Sequence, residues 1–334
     1  MAQLLIYGAT GYTGRLISDQ AESMGLDFID SVLATSTALG VPSRVFDLVD
    51  EAVIDDNLVG ITVLLNCAGP FQQTAKRLTN ACIRNRVHYL DTSAELISYD
   101  YAEQNDTAAK AAGVMLIPGC GGSTAMLGCP AARILDRIDG PVVSVDLALD
   151  VSGPMSRGSA ITASQNIKAE TLKRYDGALT SRKATDTALF DFGQGPVDCF
   201  PVTLPDLVTV HKFFGVPTIR TFAHASGTAF PSGDLEALPA GPTAEERDAS
   251  PYDAAISVTT ASGDVQRATL HSVNGYTYIA IVSAEAARRV LAGQVVPGFQ
   301  MSAIPFGSDF ADSVAGDVVS SIAFSSPSST ARST

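Results

Sequence analysis

The feature that most limits what this chain can become lies near its start, at Gly8-Ala9-Thr10-Gly11-Tyr12-Thr13-Gly14. A short apolar run at 3–7 precedes it and reads as a buried strand. A stretch at 12–24 follows, with Leu16, Ile17 and Met24 spaced as on a helix and Gly25 as its stop. Glycines spaced G-x-x-G-x-x-G are a weak signal alone. Between a strand and a helix they make a turn tight enough for the backbone to approach an anion, with free N–H groups and the helix dipole facing it. The turn therefore reads as a seat for a diphosphate, with Gly8, Gly11 and Gly14 as its frame. Thr10, Tyr12 and Thr13 line it, and the two threonines add hydroxyls suited to phosphate oxygens.

The rhythm continues beyond the turn. Apolar runs at 31–34, 44–46, 61–65, 88–91 and 114–117 alternate with helical stretches at 72–86 and 99–112. Strand and helix in alternation require parallel pairing with crossovers, hence a doubly wound Rossmann-type α/β sheet. After Pro118 the texture changes. A Gly-rich break at 119–128 runs into a helix ending at Leu135, a strand follows at 142–151, and an amphipathic helix follows at 159–174. Ile256–Thr260, Val265–Val273 and Tyr276–Ser283 read as three strands joined by Ser262-Gly263 and Asn274-Gly275, the latter a type I′ hairpin signal. Residues 231–251, rich in Pro, Gly, Ala and acids, read as a surface loop. The expected organisation is a Rossmann domain at 1–118, to which a segment at about 285–325 returns, an α+β mixed or antiparallel-sheet substrate domain at 119–284, and a polar tail at 326–334.

Apolar residues make up 46% of the chain and 35 acids face 22 Lys and Arg, for a net charge of -13. That supplies a core and excludes a nucleic-acid backbone or an anionic membrane surface as partner. The five cysteines show no C-x-x-C spacing and the four histidines no metal-ligand grouping, so no metal is expected. The start carries no leader pattern, and no run of about 18 apolar residues occurs, so the expectation is a soluble, cytoplasmic protein. The edge of the three-strand run offers a place for two copies to pair as a homodimer.

Ligands of open α/β sheets bind beyond the carboxyl ends of the strands. An NAD site places an acid after the second strand. This chain has Ala34-Thr35-Ser36-Thr37, whose hydroxyls, Thr35 and Ser36 foremost, accept a 2′-phosphate without repelling it. The cofactor expected is therefore NADP(H), with Arg15 and Arg44 the nearest cations. Asp47 follows the third strand, where it can meet the adenine edge. Asn66, Ala68, Gly69, Pro70 and Phe71 follow the fourth strand, where the chain passes the ribose and nicotinamide, and Thr92 and Ser93 follow the next.

These residues carry a resemblance. Gly8–Arg15, Asn66–Phe71, His88–Glu95, Pro118-Gly119-Cys120-Gly121 and the stretch Gly275–Phe310 resemble the saccharopine dehydrogenase-like reductases. The resemblance implies an N-terminal domain that binds NADP(H), a mixed-sheet domain over it, and reduction of a small imine to a secondary amine, with activated C=C reduction in related members. Two stretches depart from it. Ala34-Thr35 stands where the family often has Gly-Arg. Gly122-Ser123-Thr124 stands where it has a bulkier, acidic continuation, which implies a roomier pocket.

Imine reduction mainly needs the substrate kept protonated, which a nearby carboxylate favours. Asp91 and Glu95 are the candidates, and Cys120 lies in the glycine loop beside the expected nicotinamide. Both acids also suit a helix cap. Enone, enoyl or carbonyl reduction would need a proton donor instead, for which Tyr89, Tyr175, His211 and Lys212 are available. Lys168, Lys173 and Arg174 could anchor a substrate carboxylate from the 159–174 helix. None of the nine tyrosines has a lysine four positions later, which sets the short-chain dehydrogenase mechanism aside. A catalytically silent dinucleotide sensor is the rival from another class.

Overall fold

The computed structural model describes residues 3–32, 42–168, 170–226, 229, 233–314 and 319–325. Thr35, Ser36 and the tail at 326–334 lie outside the described residues. The first part runs β1 (Leu4–Tyr7), α1 (Tyr12–Ser23), β2 (Phe28–Val32), β3 (Ser43–Val45), α2 (Glu51–Asn57), β4 (Val63–Asn66), α3 (Phe71–Asn85), β5 (His88–Asp91), α4 (Leu96–Gln104), α5 (Asp106–Ala112) and β6 (Met115–Ile117). The second runs α6 (Ser123–Met126), α7 (Gly128–Leu135), β7 (Val142–Val151), α8 (Arg157–Lys168), β8 (Leu172–Tyr175), β9 (Ala178–Ser181), β10 (Ala188–Asp191), β11 (Pro196–Pro201), α9 (Asp206–Phe214), β12 (Thr218–Ala225), α10 (Ala244–Asp248), β13 (Tyr252–Thr260) and β14 (Val265–Ser272). The chain continues through α11 (Gly275–Leu291), β15 (Gly298–Phe299), α12 (Ala303–Phe306), α13 (Phe310–Ser313) and β16 (Val319–Ser325).

The first sheet is parallel, in the order β15-β6-β5-β4-β1-β2-β3. Its central strands β1 and β4 are buried at every position, and apolar but for Asn66 at the end of β4 and the Tyr7 hydroxyl, because both faces are covered. Leu4 and Ile6 enter one core, and Leu5 and Tyr7 the other. Strand order reverses between β4 and β1, the switch point at which α/β sheets take ligands. The second sheet is mixed, along the path β10-β11-β12-β7-β13-β14-β16. Its Val145, Leu147, Ile219, Ile256 and Leu270 share one core with Leu4 and Ile6, with α7 and α11 between the layers. The doubly wound sheet and the mixed second sheet are thus as the sequence implies.

Three elements depart from the expected pattern. Residues Tyr276–Ser283 are the first half of α11 rather than a third strand. Asn274 caps the helix, its side chain accepting from the Tyr276 amide at 3.0 Å, so Asn-Gly marks a helix start here instead of a hairpin. The helix stretch at 159–174 ends at Lys168, and Leu172–Tyr175 pairs as β8. Lys173 and Arg174 are therefore strand residues. The Arg174 guanidinium is spent on the carbonyls of Leu207 and Gly177, so it does not anchor a substrate. The returning C-terminal segment divides. β15 extends the first sheet beside β6, whereas β16 pairs with β14 and covers what would otherwise be an open sheet edge.

Candidate dinucleotide seat and the loops around it

Gly8 leaves β1 at φ +85°, and its amide donates to the Ser31 carbonyl at 3.1 Å. A Cβ there would lie 2.9 Å from Ala68 Cβ, so the loops leaving β1 and β4 touch backbone to backbone. A Cβ on Gly14 would fall 2.2 Å from the Gly8 carbonyl oxygen, which is why α1 can start directly above the strand. Gly11 differs from both. Its backbone is extended, at φ -69° and ψ 165°, and a Cβ would meet only the Gly8 oxygen at 3.2 Å. The space on its other sides is open. Gly11 is also the N-cap of α1, with no side-chain cap and no acid in the first turn. The helix thus presents amides that no side-chain cap satisfies beside the open space at Gly11, and that arrangement fits a diphosphate.

The structure brings several expected site residues together and turns others away. Ala68 and Gly69 line the mouth beside Gly8, Gly69 exposed and joined to Pro70 by a cis peptide. Asn66 is buried and builds the loop. Its side chain accepts from the Ala68 amide at 3.0 Å and donates to Thr74 and to the Tyr89 hydroxyl. Phe71 is buried at the first turn of α3. Asp47 is exposed after β3, where it accepts from the Val49 amide, and Phe46 beside it packs on Tyr7. Thr92 is half-buried, but the Ser93 hydroxyl turns inward to Asp91 at 2.7 Å.

Asp91, Glu95 and Cys120 prove to be framework. Asp91 is fully buried, where it accepts from the Tyr89 hydroxyl, the Ser93 amide and hydroxyl, and the Gly119 amide. Burial pushes its pKa up while those four donors oppose the shift. It clamps β5 to the loop after β6 rather than facing a substrate. Glu95 accepts from the Phe71 and Gln72 amides at 3.2 and 3.1 Å, so it caps α3 from a distance, the helix-cap role that acids in such loops often take. Cys120 is fully buried, with its thiol against Ser283 of α11, and burial lifts its pKa to about 12, so it carries no thiolate at neutral pH. The other candidate proton donors are engaged or remote. Tyr89 is held by Asp91, His211 faces the Val216 carbonyl, Lys212 pairs with Glu103, and Tyr175 lies exposed on β8.

Tyr12, expected in the lining of the seat, makes contacts that nothing local foretells, and two buried acids, Asp30 and Asp206, were not singled out in the sequence. The Tyr12 hydroxyl donates to the Pro242 carbonyl at 2.6 Å and accepts from Arg247 Nη1 at 2.9 Å, its ring packs edge-on to Tyr276, and Gly241 lies against its face. Tyr12 therefore ties the first turn of α1 to the 241–247 segment instead of covering the seat. Asp30, inside β2, is buried and accepts from Ser18 of α1 through one carboxylate oxygen, which holds the helix to the sheet. Asp206, the first residue of α9, is a buried acid without a hydrogen-bond partner among the described residues. Its only sequence cue, Pro205-Asp206 before an apolar run, is that of an ordinary helix start. Among the described residues no group of three His, Cys, Asp or Glu is placed to hold a metal ion, and no helix is long and apolar enough to cross a membrane.

No protein-family model matches this sequence, and neither does any curated protein. Solved structures do match. The apo saccharopine dehydrogenase (L-Glu forming) of Saccharomyces cerevisiae aligns with a TM-score of 0.66 at 12% identity, over 98% of this chain and all of that one. A mutant meso-dapdh of Clostridium tetani, solved with DAP, aligns with a TM-score of 0.52 at 11% identity, over 92% of this chain and 96% of that one. In fold, then, this chain is similar to a saccharopine dehydrogenase over nearly its whole length, in line with the resemblance its motifs carry.

Proposed function

We propose that this protein is an NADP(H)-dependent oxidoreductase that transfers a hydride to the C=N carbon of a small imine. The observation that carries the reading is the seat itself. An extended glycine with open space above it caps a helix that no side chain satisfies, at the switch point of a parallel sheet. The amides of α1 would hold the diphosphate, Asp47 the adenine side, and Ala68 and Gly69 the path toward β5 and β6. The bound nicotinamide supplies the hydride, and the chain supplies position and charge. The C=N reading rests on the motif resemblance and on the likeness to a structure named as a saccharopine dehydrogenase (L-Glu forming).

Purified protein is expected to oxidise NADPH when given cyclic imines such as pyrrolines or piperideines. Turnover with enones and none with imines would move the substrate class to activated C=C bonds. Binding of NADPH without turnover of any of them would favour the sensor. Choice of cofactor is tested separately. Thr35→Asp is expected to weaken NADPH by about 10²-fold relative to NADH, through like-charge repulsion at the 2′-phosphate. Equal losses for both dinucleotides would remove Thr35 from the phosphate site.

A further inference from the structure

One surface segment is anchored at the dinucleotide seat. Residues 233–249 hold only a short turn of helix at Leu235–Ala237 and the brief α10, and contain no strand. Pro242 is the single residue of this stretch that is buried. Two anchors come from the start of α8. The Arg157 amide donates to the Ala240 carbonyl at 3.2 Å, and Arg157 Nε to the Leu238 carbonyl at 2.8 Å. A segment with so little buried surface opens at low cost unless further contacts hold it.

Tyr12 supplies such contacts. It is the first residue of α1, and side chains there lean back past the helix start, so Tyr12 projects at the same end of α1 as the seat. Its hydroxyl donates to the Pro242 carbonyl at 2.6 Å and accepts from Arg247 Nη1 at 2.9 Å. Gly241 lies so close to the ring that a Cβ would stand 2.5 Å from it. The ring meets Tyr276 edge-on at 5.2 Å, and the Tyr276 hydroxyl accepts from the Ser156 amide at 2.7 Å, just before α8. One aromatic pair thus joins the turn after β1, the 233–249 segment and the start of α8.

The segment also delivers a cation. Arg247 is half-buried, and it directs Nε to Thr277 Oγ1 and Nη1 to the Tyr12 hydroxyl and the Pro242 carbonyl, all uncharged oxygens. Nη2 has no hydrogen-bond partner among the described residues and is not shut away from solvent. No carboxylate pairs with the guanidinium among the described residues. The neighbouring Glu246 turns instead to the Thr243 amide at 2.7 Å. Gly11, next to Tyr12, is exposed, so the amides of α1 open to solvent at the end where this guanidinium is held.

We propose that residues 233–249 are a clamp on the bound dinucleotide, latched to the diphosphate turn by Tyr12, with Arg247 Nη2 as its contact to the phosphates. The inference rests on the dinucleotide reading above. Tyr12 is a positioning residue, since it acts through the segment it holds. A guanidinium already fixed at Nε and Nη1 loses little freedom when Nη2 takes an anion. The seat stays open at Gly11, so entry is unhindered and a lost contact shows in the rate of release.

Stopped-flow binding of NADPH and hydrogen exchange of the whole protein test this. Tyr12→Phe keeps the ring and removes the hydroxyl, and it is expected to raise the NADPH dissociation rate about tenfold with association unchanged. Arg247→Met is expected to weaken NADPH and 2′-phospho-ADP-ribose alike by about 10- to 100-fold, and Arg247→Lys to restore part of the loss. The loss in Arg247→Met should shrink as NaCl is raised, and the effect of Tyr12→Phe should not. Amides of 233–249 are expected to exchange more slowly at saturating NADPH, and Tyr12→Phe to abolish that protection. Saturation without slower exchange, or unchanged dissociation in both variants, overturns the clamp. A loss in Arg247→Met that salt does not alter would make the residue a brace and overturn its contact with the phosphates. If the unaltered protein binds no NADPH, the dinucleotide reading falls instead.

Discussion

Gly11→Val should abolish dinucleotide binding and leave the melting temperature within a few degrees of the parent. Position 11 is extended backbone that any residue adopts, and the one close neighbour of a new Cβ is the Gly8 carbonyl at 3.2 Å. Relief of that contact and loss of a favourable N-cap glycine together cost about 1 kcal/mol. The two γ-methyls then occupy the hollow where phosphate oxygens would meet the amides of α1. Gly14→Ala should do the reverse. Its Cβ would lie 2.2 Å from the Gly8 oxygen and 2.8 Å from Ala9 Cα, both backbone atoms of the strand-to-helix turn, so the helix must lift from the sheet. Overpacking of this kind costs about 3 kcal/mol or more. Thermal unfolding and NADPH titration separate the two variants. The chain has no tryptophan, so the titration reads the fluorescence of the dinucleotide itself. Full affinity in Gly11→Val would place the diphosphate elsewhere.

Four strands of the first sheet, β1, β4, β5 and β6, were legible because each holds a short apolar run buried on both faces, and a run of that kind announces itself without long-range information, whereas the partly exposed β3 and the two-residue β15 carry no such signal. The seat was legible for the same reason, since its three glycines fall within one seven-residue stretch, Gly8–Gly14. The hairpin of β13 and β14 followed from alternation and Ser262-Gly263. The same rule misread Asn274-Gly275. Tyr276–Ser283 sits between two sheets and is buried at Tyr276, Tyr278, Ala280, Val282 and Ser283, an alternation that mimics a strand on a helix. The site around the seat was less legible because its contacts are remote. Tyr12 meets Arg247 across 235 positions, and nothing local foretells it. Asp91 and Glu95 were recognised as acids next to strand ends. Whether such an acid faces a ligand or a neighbouring amide depends on the approach of another loop, here those carrying Gly119 and Phe71.

Asp206→Asn should remove the pH dependence that this acid imposes on stability. In the unfolded chain its carboxyl loses its proton near the ordinary value of about 3.9. In the folded chain burial holds the proton on to about 7, with only Ser123 and the residue's own amide opposing. Between these values the folded state binds more protons than the unfolded state, so stability falls as pH rises and levels off above about 7. About three pH units correspond to roughly 4 kcal/mol between the two ends, an upper figure because burial relaxes. The amide of the variant has no charge to bury but brings two N–H donors without acceptors, so at pH 5 it should be no more stable than the parent. At pH 8 it should melt several degrees higher. Melting curves at pH 5, 6, 7 and 8 test this, and two parallel lines would mean that Asp206 does not titrate where its burial places it. A divergence would show that the fold tolerates, at working pH, a carboxyl that a plain amide would relieve.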